Sequence, residues 1–232
     1  MRKKVKIEQS PLVEPDTVII KTRHKDRGVE FKTLKLFRDL AKAVSPPPVL
    51  TVSQWADRYR RLSPESAAEP GQWNTDRAPY QREIMDSVND PLVEHIVIMS
   101  SAQVGKTELI LNIVGYYIDY DPAPMLIVQP TLKPMAEDFS KDRLAPMIRD
   151  TPTISGKVHD VKSRNSGNTI LHKTFPGGHV TIAGANSASS LASRPVRIVL
   201  MDETDRYPAS AGTEGNPIKL AEKRTTAFWN KK

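Results

Sequence analysis

The chain has 232 residues, 38% of them hydrophobic, with 34 Lys and Arg against 27 Asp and Glu and a formal net charge of +7. That length carries one substantial core and a small accessory region rather than two full domains, and the basic balance (pI ≈ 9.5) favours a polyanionic partner, nucleic acid being the commonest. No apolar run reaches the ~20 residues that cross a bilayer, the Met1-Arg2-Lys3-Lys4 start lacks the apolar stretch of a signal peptide, and the absence of cysteine excludes disulfides, thiolate zinc sites and a cysteine nucleophile.

Residues 1–45 read as a basic, partly disordered tail with one amphipathic helix, patterned by Phe31, Leu34, Leu36, Phe37, Leu40, Ala41 and Val44. Pro46-Pro47-Pro48 forms a stiff extended break before the next unit, 49–232. A helical lead-in follows. Ser53 is a candidate cap for a short helix carrying Trp55, Ala56 and Tyr59, a polar loop runs to Gly71, and a second helix spans 80–88. From Ile96 onward apolar strand patterns alternate with helical ones: a strand at 96–99, a helix through Leu109, Ile110, Ile113 and Val114, a strand at 125–128, a helix at 133–148 and a strand at 196–201. That alternation predicts an α/β domain with a mainly parallel sheet. The segments 169–171 and 179–183, separated by Phe175-Pro176-Gly177-Gly178, predict a hairpin or edge pair inserted before the last strand.

Two motifs carry chemistry. Ser100-Ser101-Ala102-Gln103-Val104-Gly105-Lys106-Thr107 has the length and ending of a phosphate-binding P-loop, with Ser100 where the first glycine is expected. Gly105 lets the backbone curl around an anion, Lys106 reaches toward the β/γ-phosphates, and the Thr107 hydroxyl suits Mg2+. About a hundred residues on, the apolar run Val196-Arg197-Ile198-Val199-Leu200-Met201 is predicted as a buried parallel strand leading straight into Asp202-Glu203, a Walker B pattern. In that arrangement Asp202 holds Mg2+ through its water shell and Glu203 polarises the attacking water, on a bound nucleotide.

Several further segments lie outside any generic nucleotide motif. Val49-Leu50-Thr51-Val52-Ser53-Gln54-Trp55-Ala56-Asp57-Arg58-Tyr59-Arg60, Arg77-Ala78-Pro79-Tyr80-Gln81, Val128-Gln129-Pro130-Thr131, Ala183-Gly184-Ala185-Asn186-Ser187-Ala188, Ser193-Arg194-Pro195 and Asp202-Glu203-Thr204-Asp205-Arg206-Tyr207-Pro208 occur in that order. Together with the P-loop they closely resemble the large subunit of lambda-type tailed-phage terminases, over about 49–226; nothing before Val49 matches. The resemblance implies an α/β P-loop NTPase fold of the ASCE type and an ATPase motor that packages viral DNA. A metal-dependent nuclease domain would follow. On that reading the chain ends at Lys232 before the next strand, its coupling motif and the nuclease, so nuclease activity is not expected of it.

The same resemblance implies roles for individual residues. Gln81 matches an adenine-recognising glutamine, with Tyr80 able to pack on the ring. Ser101, Ala102, Gln103, Val104, Gly105, Lys106 and Thr107 line the nucleotide; relatives often carry a basic residue at the Gln103 position. Arg194 matches an arginine acting on a neighbouring subunit's nucleotide, with Arg197 and Arg143 as competitors. Implied partners are double-stranded viral DNA, the terminase small subunit, the capsid portal and further copies of the chain, in the host cell cytoplasm and away from membranes. The alternatives are a helicase-like DNA translocase and a non-catalytic fragment that binds nucleotide or partner subunits; ATP turnover separates them.

Overall fold

The computed structural model describes residues 31–44, 49–65, 67–158, 168–192 and 194–228, with contacts dividing the chain between Pro48 and Val49. The expected tail at 1–30 and the triple proline lie outside the described residues. In the first unit, Phe31–Val44 forms helix α1, as its spacing predicts, and Leu34, Leu36, Phe37 and Leu40 are each more than half exposed.

The second unit opens with α2 (Val52–Tyr59). Its cap is Thr51, which accepts from the Gln54 amide while the Gln54 side chain accepts from the Thr51 amide. Ser53, the expected cap, instead lies inside the helix, fully buried. A two-residue antiparallel pair, β1 (Arg61–Leu62) with β2 (Gly71–Gln72), precedes α3 (Tyr80–Ser87). Next comes α4 (Lys106–Asp119), whose residues from Leu109 to Ile118 are all buried. A helix apolar on every side belongs at the centre of a core. Trp55 of α2 packs against Gly115 of α4 and donates its indole N–H to Asp119 at 2.8 Å, so the lead-in is anchored on the P-loop helix.

After β3 (Met125–Gln129) the chain makes wide helical turns at Leu132–Ala136 and Phe139–Leu144, then α5 (Ala145–Asp150) and α6 (Pro152–Ser155). The helix expected at 133–148 is therefore broken, with Lys133 in extended backbone. The expected hairpin is present, but its first strand is β4 (His172–Phe175) and not 169–171, which forms no strand; it pairs with β5 (Gly178–Gly184) through a turn at Pro176 and Gly177, whose φ of +87° is the left-handed conformation that favours glycine. Short α7 (Ala188–Leu191), β6 (Ile198–Met201) and α8 (Pro217–Glu222) complete the order.

The larger sheet runs β4-β5-β3-β6, with β5, β3 and β6 mutually parallel and β4 antiparallel at one edge. Strand alternation sends Met125 and Ile127 into one core with α4, Val180 and Ile182, and sends Leu126 and Val128 into a second with Ala183, Leu191 and Ala221. Helices on both faces of a mainly parallel sheet make this an α/β unit.

Two further strand expectations need correction. The run 96–99 forms no strand: Val97 and Met99 are 91% and 98% exposed, and Ile96 and Ile98 are each 39% exposed. An apolar tetrapeptide holds an extended ladder only against a hydrogen-bonding neighbour, and this one has none among the described residues. The last strand is also half-buried rather than buried throughout, because β6 is itself an edge in the described sheet.

Candidate nucleotide site

The sheet delivers the acidic half of the site. β6 ends at Met201 beside β3, the Asp202 amide donates to the Val128 carbonyl at 3.0 Å, and the Tyr207 hydroxyl donates to the same carbonyl at 2.8 Å. Asp202 is left 8% exposed at the carboxyl end of the strand. Burial pushes its carboxyl above the usual aspartate range and the Glu203 charge adds to this, whereas a hydrogen bond from Gln129 and the Lys106 charge oppose it. Gln129, at the end of β3 and 3% exposed, donates from Nε2 to Asp202 Oδ2 at 3.2 Å. Sequence reasoning had not given Gln129 this role, and no local pattern marks it, because the pairing spans two strands.

Glu203 adopts φ +49°, ψ +48°, left-handed backbone unusual for a non-glycine residue. Its exposed carboxylate is held at 2.7 Å by Arg206, one turn on.

The basic half is the loop before α4. Gly105 has φ +80°, and a Cβ there would stand 2.6 Å from Gln81 Nε2, so conformation and space both require glycine. Gln103 also has positive φ, at 60°. The Lys106 ammonium lies across the loop, donating to the carbonyls of Ser101 at 2.9 Å and Ser100 at 3.3 Å, and its charge reaches Asp202. Ser101, Ala102 and Gln103 are exposed, while Val104 through Thr107 are half-buried.

Two donors from α3 fix this loop: Gln81 Nε2 at 2.9 Å and the Tyr80 hydroxyl at 3.0 Å, both to the Val104 carbonyl. Gln81 is 3% exposed, and its buried Oε1 has no hydrogen-bond partner. A second clamp sits one residue past Thr107, where Glu108 accepts from Arg60 at 2.9 Å; Arg60 is 2% exposed. Burial lowers the Arg60 pKa and the Glu108 charge opposes that shift.

The oxygen donors suit the expected ligands. Thr107 and Asp202 offer a hydroxyl and a carboxylate, hard donors for Mg2+, and no cluster of three or more His, Cys, Asp or Glu able to hold a metal occurs among the described residues. A cation bound here takes its remaining ligands from phosphate and water. The orphaned Gln81 Oε1 is an acceptor matched to an exocyclic amine such as that of adenine.

The three arginines separate clearly. Arg197 pairs with Asp121 at 2.8 Å, lies over the Tyr117 ring and sits just before β6, at the end of the strand opposite Asp202. Arg143 shares the wall of a cavity of about 400 Å3 with Thr107, Glu65, Asp138, Phe139 and Asp142. The Arg194 guanidinium is instead at the far edge of the sheet, 3.1 Å from His172 Nε2 on β4. With strands ~4.8 Å apart and ~3.3 Å per residue, three strands across and three residues along put His172 roughly 17 Å from Asp202.

The family described as phage terminase large subunit gpA, ATPase domain, matches residues 67–232. The terminase large subunit of Enterobacteria phage P21 is 32% identical over 186 residues, 80% of this chain and 28% of the relative. That of Escherichia phage lambda is 30% identical over 179 residues, 77% of this chain and 28% of the relative. The chain thus spans under a third of the length of these curated relatives, and no solved structure matches it. With most of its length covered by that one family, from before the Gln81 clamp through the Asp202-Glu203 pair, the chain belongs to the ATPase-domain family of the phage terminase large subunit gpA.

Proposed function

We propose that this chain is the ATP-hydrolysing part of a phage DNA-packaging motor, with residues 49–232 as its ASCE-type ATPase domain and 1–45 as a basic tail that docks the small subunit or DNA. The observation that carries this reading is the convergence of the Gln81-clamped P-loop and the buried, ladder-held Asp202 with Glu203 next to it. Lys106 and the N-terminus of α4 bind the phosphates, with Ser101, Ala102, Gln103, Val104 and Gly105 forming the cradle. Thr107 and Asp202 hold Mg2+, which when bound neutralises charge on the β- and γ-phosphates. Gln129 orients the Asp202 carboxylate through its amide. Glu203, whose carboxylate Arg206 holds through Oε2, accepts the proton of the attacking water.

The roughly 17 Å between His172 and Asp202 sets Arg194 apart from the acidic pair of its own chain, which favours a role on the nucleotide of a neighbouring copy. Arg143, which lines a cavity together with Thr107, is the candidate arginine within the same chain. Double-stranded viral DNA, the portal and further copies of the chain are the proposed partners, at the procapsid in the host cytoplasm. No helix among the described residues is long and apolar enough to cross a membrane.

The test is Glu203→Gln measured beside Lys106→Ala. Glu203→Gln keeps the side-chain shape without the base, so it retains Mg-ATP affinity and loses about 10²- to 10⁴-fold in turnover. Lys106→Ala weakens binding itself, by about tenfold or more. Wild-type turnover in Glu203→Gln removes the assignment.

A further inference from the structure

We propose that His172 is the positioning residue for Arg194, holding its guanidinium at the outer edge of the sheet where it meets a neighbouring copy. This rests on the proposed trans role of Arg194 and adds the element that aims it.

The geometry fixes the chemistry of the contact. His172 Nδ1 lies 2.9 Å from the Thr181 hydroxyl, its cross-strand partner on β5, and Nε2 lies 3.1 Å from Arg194 Nη1. A guanidinium only donates, so Nε2 must be the bare acceptor and the proton must sit on Nδ1, donated to Thr181. The imidazole holds Arg194 only while it is neutral.

The surroundings keep it so. Among the described residues, the charged or titratable groups facing His172 are Arg194 from the segment before β6, His179 from β5 and Lys173 from β4 itself. His179 has its ring centroid 5.2 Å away and a buried Nε2 without a partner. Burial first, then the charges of Arg194, His179 and Lys173, hold the His172 pKa below the ordinary histidine value of 6.5. Burial and Arg194 lower that of His179 as well. The contact is therefore intact at neutral pH. It is lost only in acid, when a protonated His172 becomes a second donor and a second positive charge against Arg194.

Two readouts test this. In the chain itself, an NMR titration of His172 follows the imidazole in wild type and in Arg194→Ala. The midpoint lies below 6.5 in wild type and rises in the variant; an unchanged midpoint overturns the contact. In the assembled motor, ATPase is compared among wild type, Arg194→Ala, His172→Gln and His172→Leu from about pH 8 to about pH 5. Glutamine offers Oε1 near the place of Nε2 and does not titrate. His172→Gln keeps the wild-type rate at neutral pH and a larger share of it in acid, whereas His172→Leu falls toward the Arg194→Ala rate.

A His172→Leu motor that keeps the full rate while Arg194→Ala is slow overturns the positioning role and leaves the arginine's role standing. An Arg194→Ala motor at full rate overturns both. Should His172→Leu fold poorly, the pH difference between His172→Gln and wild type decides alone: parallel profiles reject the proposal.

Discussion

Asp202 hangs from a parallel ladder, whereas Lys106 follows an exposed stretch of irregular chain, and the two halves of one site are thus held by different forces. On the acidic side, backbone hydrogen bonds between β3 and β6 set the position, with the Asp202 amide and the Tyr207 hydroxyl sharing the Val128 carbonyl. On the basic side residues 94–103 are exposed, and the loop is placed from outside by Gln81, Tyr80 and the Arg60–Glu108 pair. Ladder register is distributed over many groups and tolerates the loss of one side chain. A clamp made of single side chains does not, so substitutions of the polar residues that hold the site should fall hardest on the basic half.

Among the polar groups of the site, the largest effect on stability is expected at the buried clamp. Glu108→Ala leaves Arg60, 2% exposed, without its ion-pair partner and with only the Asp150 charge and the Arg61 carbonyl to offset its burial. Breaking such a pair from one side costs about 3 kcal/mol, and the 19% exposure of Glu108 argues for no more than that. Denaturant unfolding measures the cost, and calorimetry should record weaker Mg-ATP binding in the same variant because Glu108 adjoins Thr107. A loss below about 1 kcal/mol would place Arg60 in alternative hydrogen bonds and weaken the contrast between the two halves.

Next comes Gln81. Replacing it with leucine removes a donor to the Val104 carbonyl and the buried Oε1 acceptor together. Losing the bond to Val104, together with the bond that Oε1 would accept from the base, amounts to about 1 to 3 kcal/mol, roughly tenfold or more in ATP affinity. Because Oε1 is matched to an amine donor, discrimination of ATP against GTP should shrink as well. Equal preference in wild type and variant would leave Gln81 as a clamp on the loop with no part in reading the base.

Asp202→Asn probes the other half, with the opposite sign for stability. A raised carboxyl pKa means that the folded chain binds this proton more tightly than the unfolded chain does, so Asp202 costs stability above its folded pKa and the cost fades as pH falls through it. Asparagine keeps the shape without the charge. The thermal midpoint without Mg2+ should therefore rise modestly at neutral pH and converge with wild type in acid, while Mg2+-dependent nucleotide binding is lost. A lower midpoint at neutral pH would mean that the charge is stabilised by its surroundings.

What the sequence made legible follows the same division. Gly105, Lys106 and Thr107 are fixed by a local pattern, as are the Asp202-Glu203 pair and the Pro176-Gly177 turn, because each depends on backbone conformation within a few residues. Interactions closing over long separations left no local mark: Gln129 on Asp202, Arg60 on Glu108 and His172 on Arg194. The run 96–99 departs from its strand pattern for the same reason. Four apolar residues in a row describe a strand only when a neighbour supplies the ladder, and composition says nothing about the neighbour.

That segment yields the smallest predicted effect. Val97 is 91% exposed in the irregular run before the P-loop, so Val97→Ser removes no buried surface. Its unfolding free energy should stay within about 0.5 kcal/mol of wild type. Ile127→Ala, at a fully buried position of β3, should cost about 2 to 5 kcal/mol. Urea titrations of both, with and without Mg-ATP, turn the pair into a test of whether this region gains a partner on binding nucleotide. If Val97→Ser stays neutral in both conditions, the loop works from an unladdered base and the side-chain clamps alone set the position of Lys106. If it becomes costly only with nucleotide, the segment is buried as the loop fills, and the two halves of the site come to be held by the same kind of force.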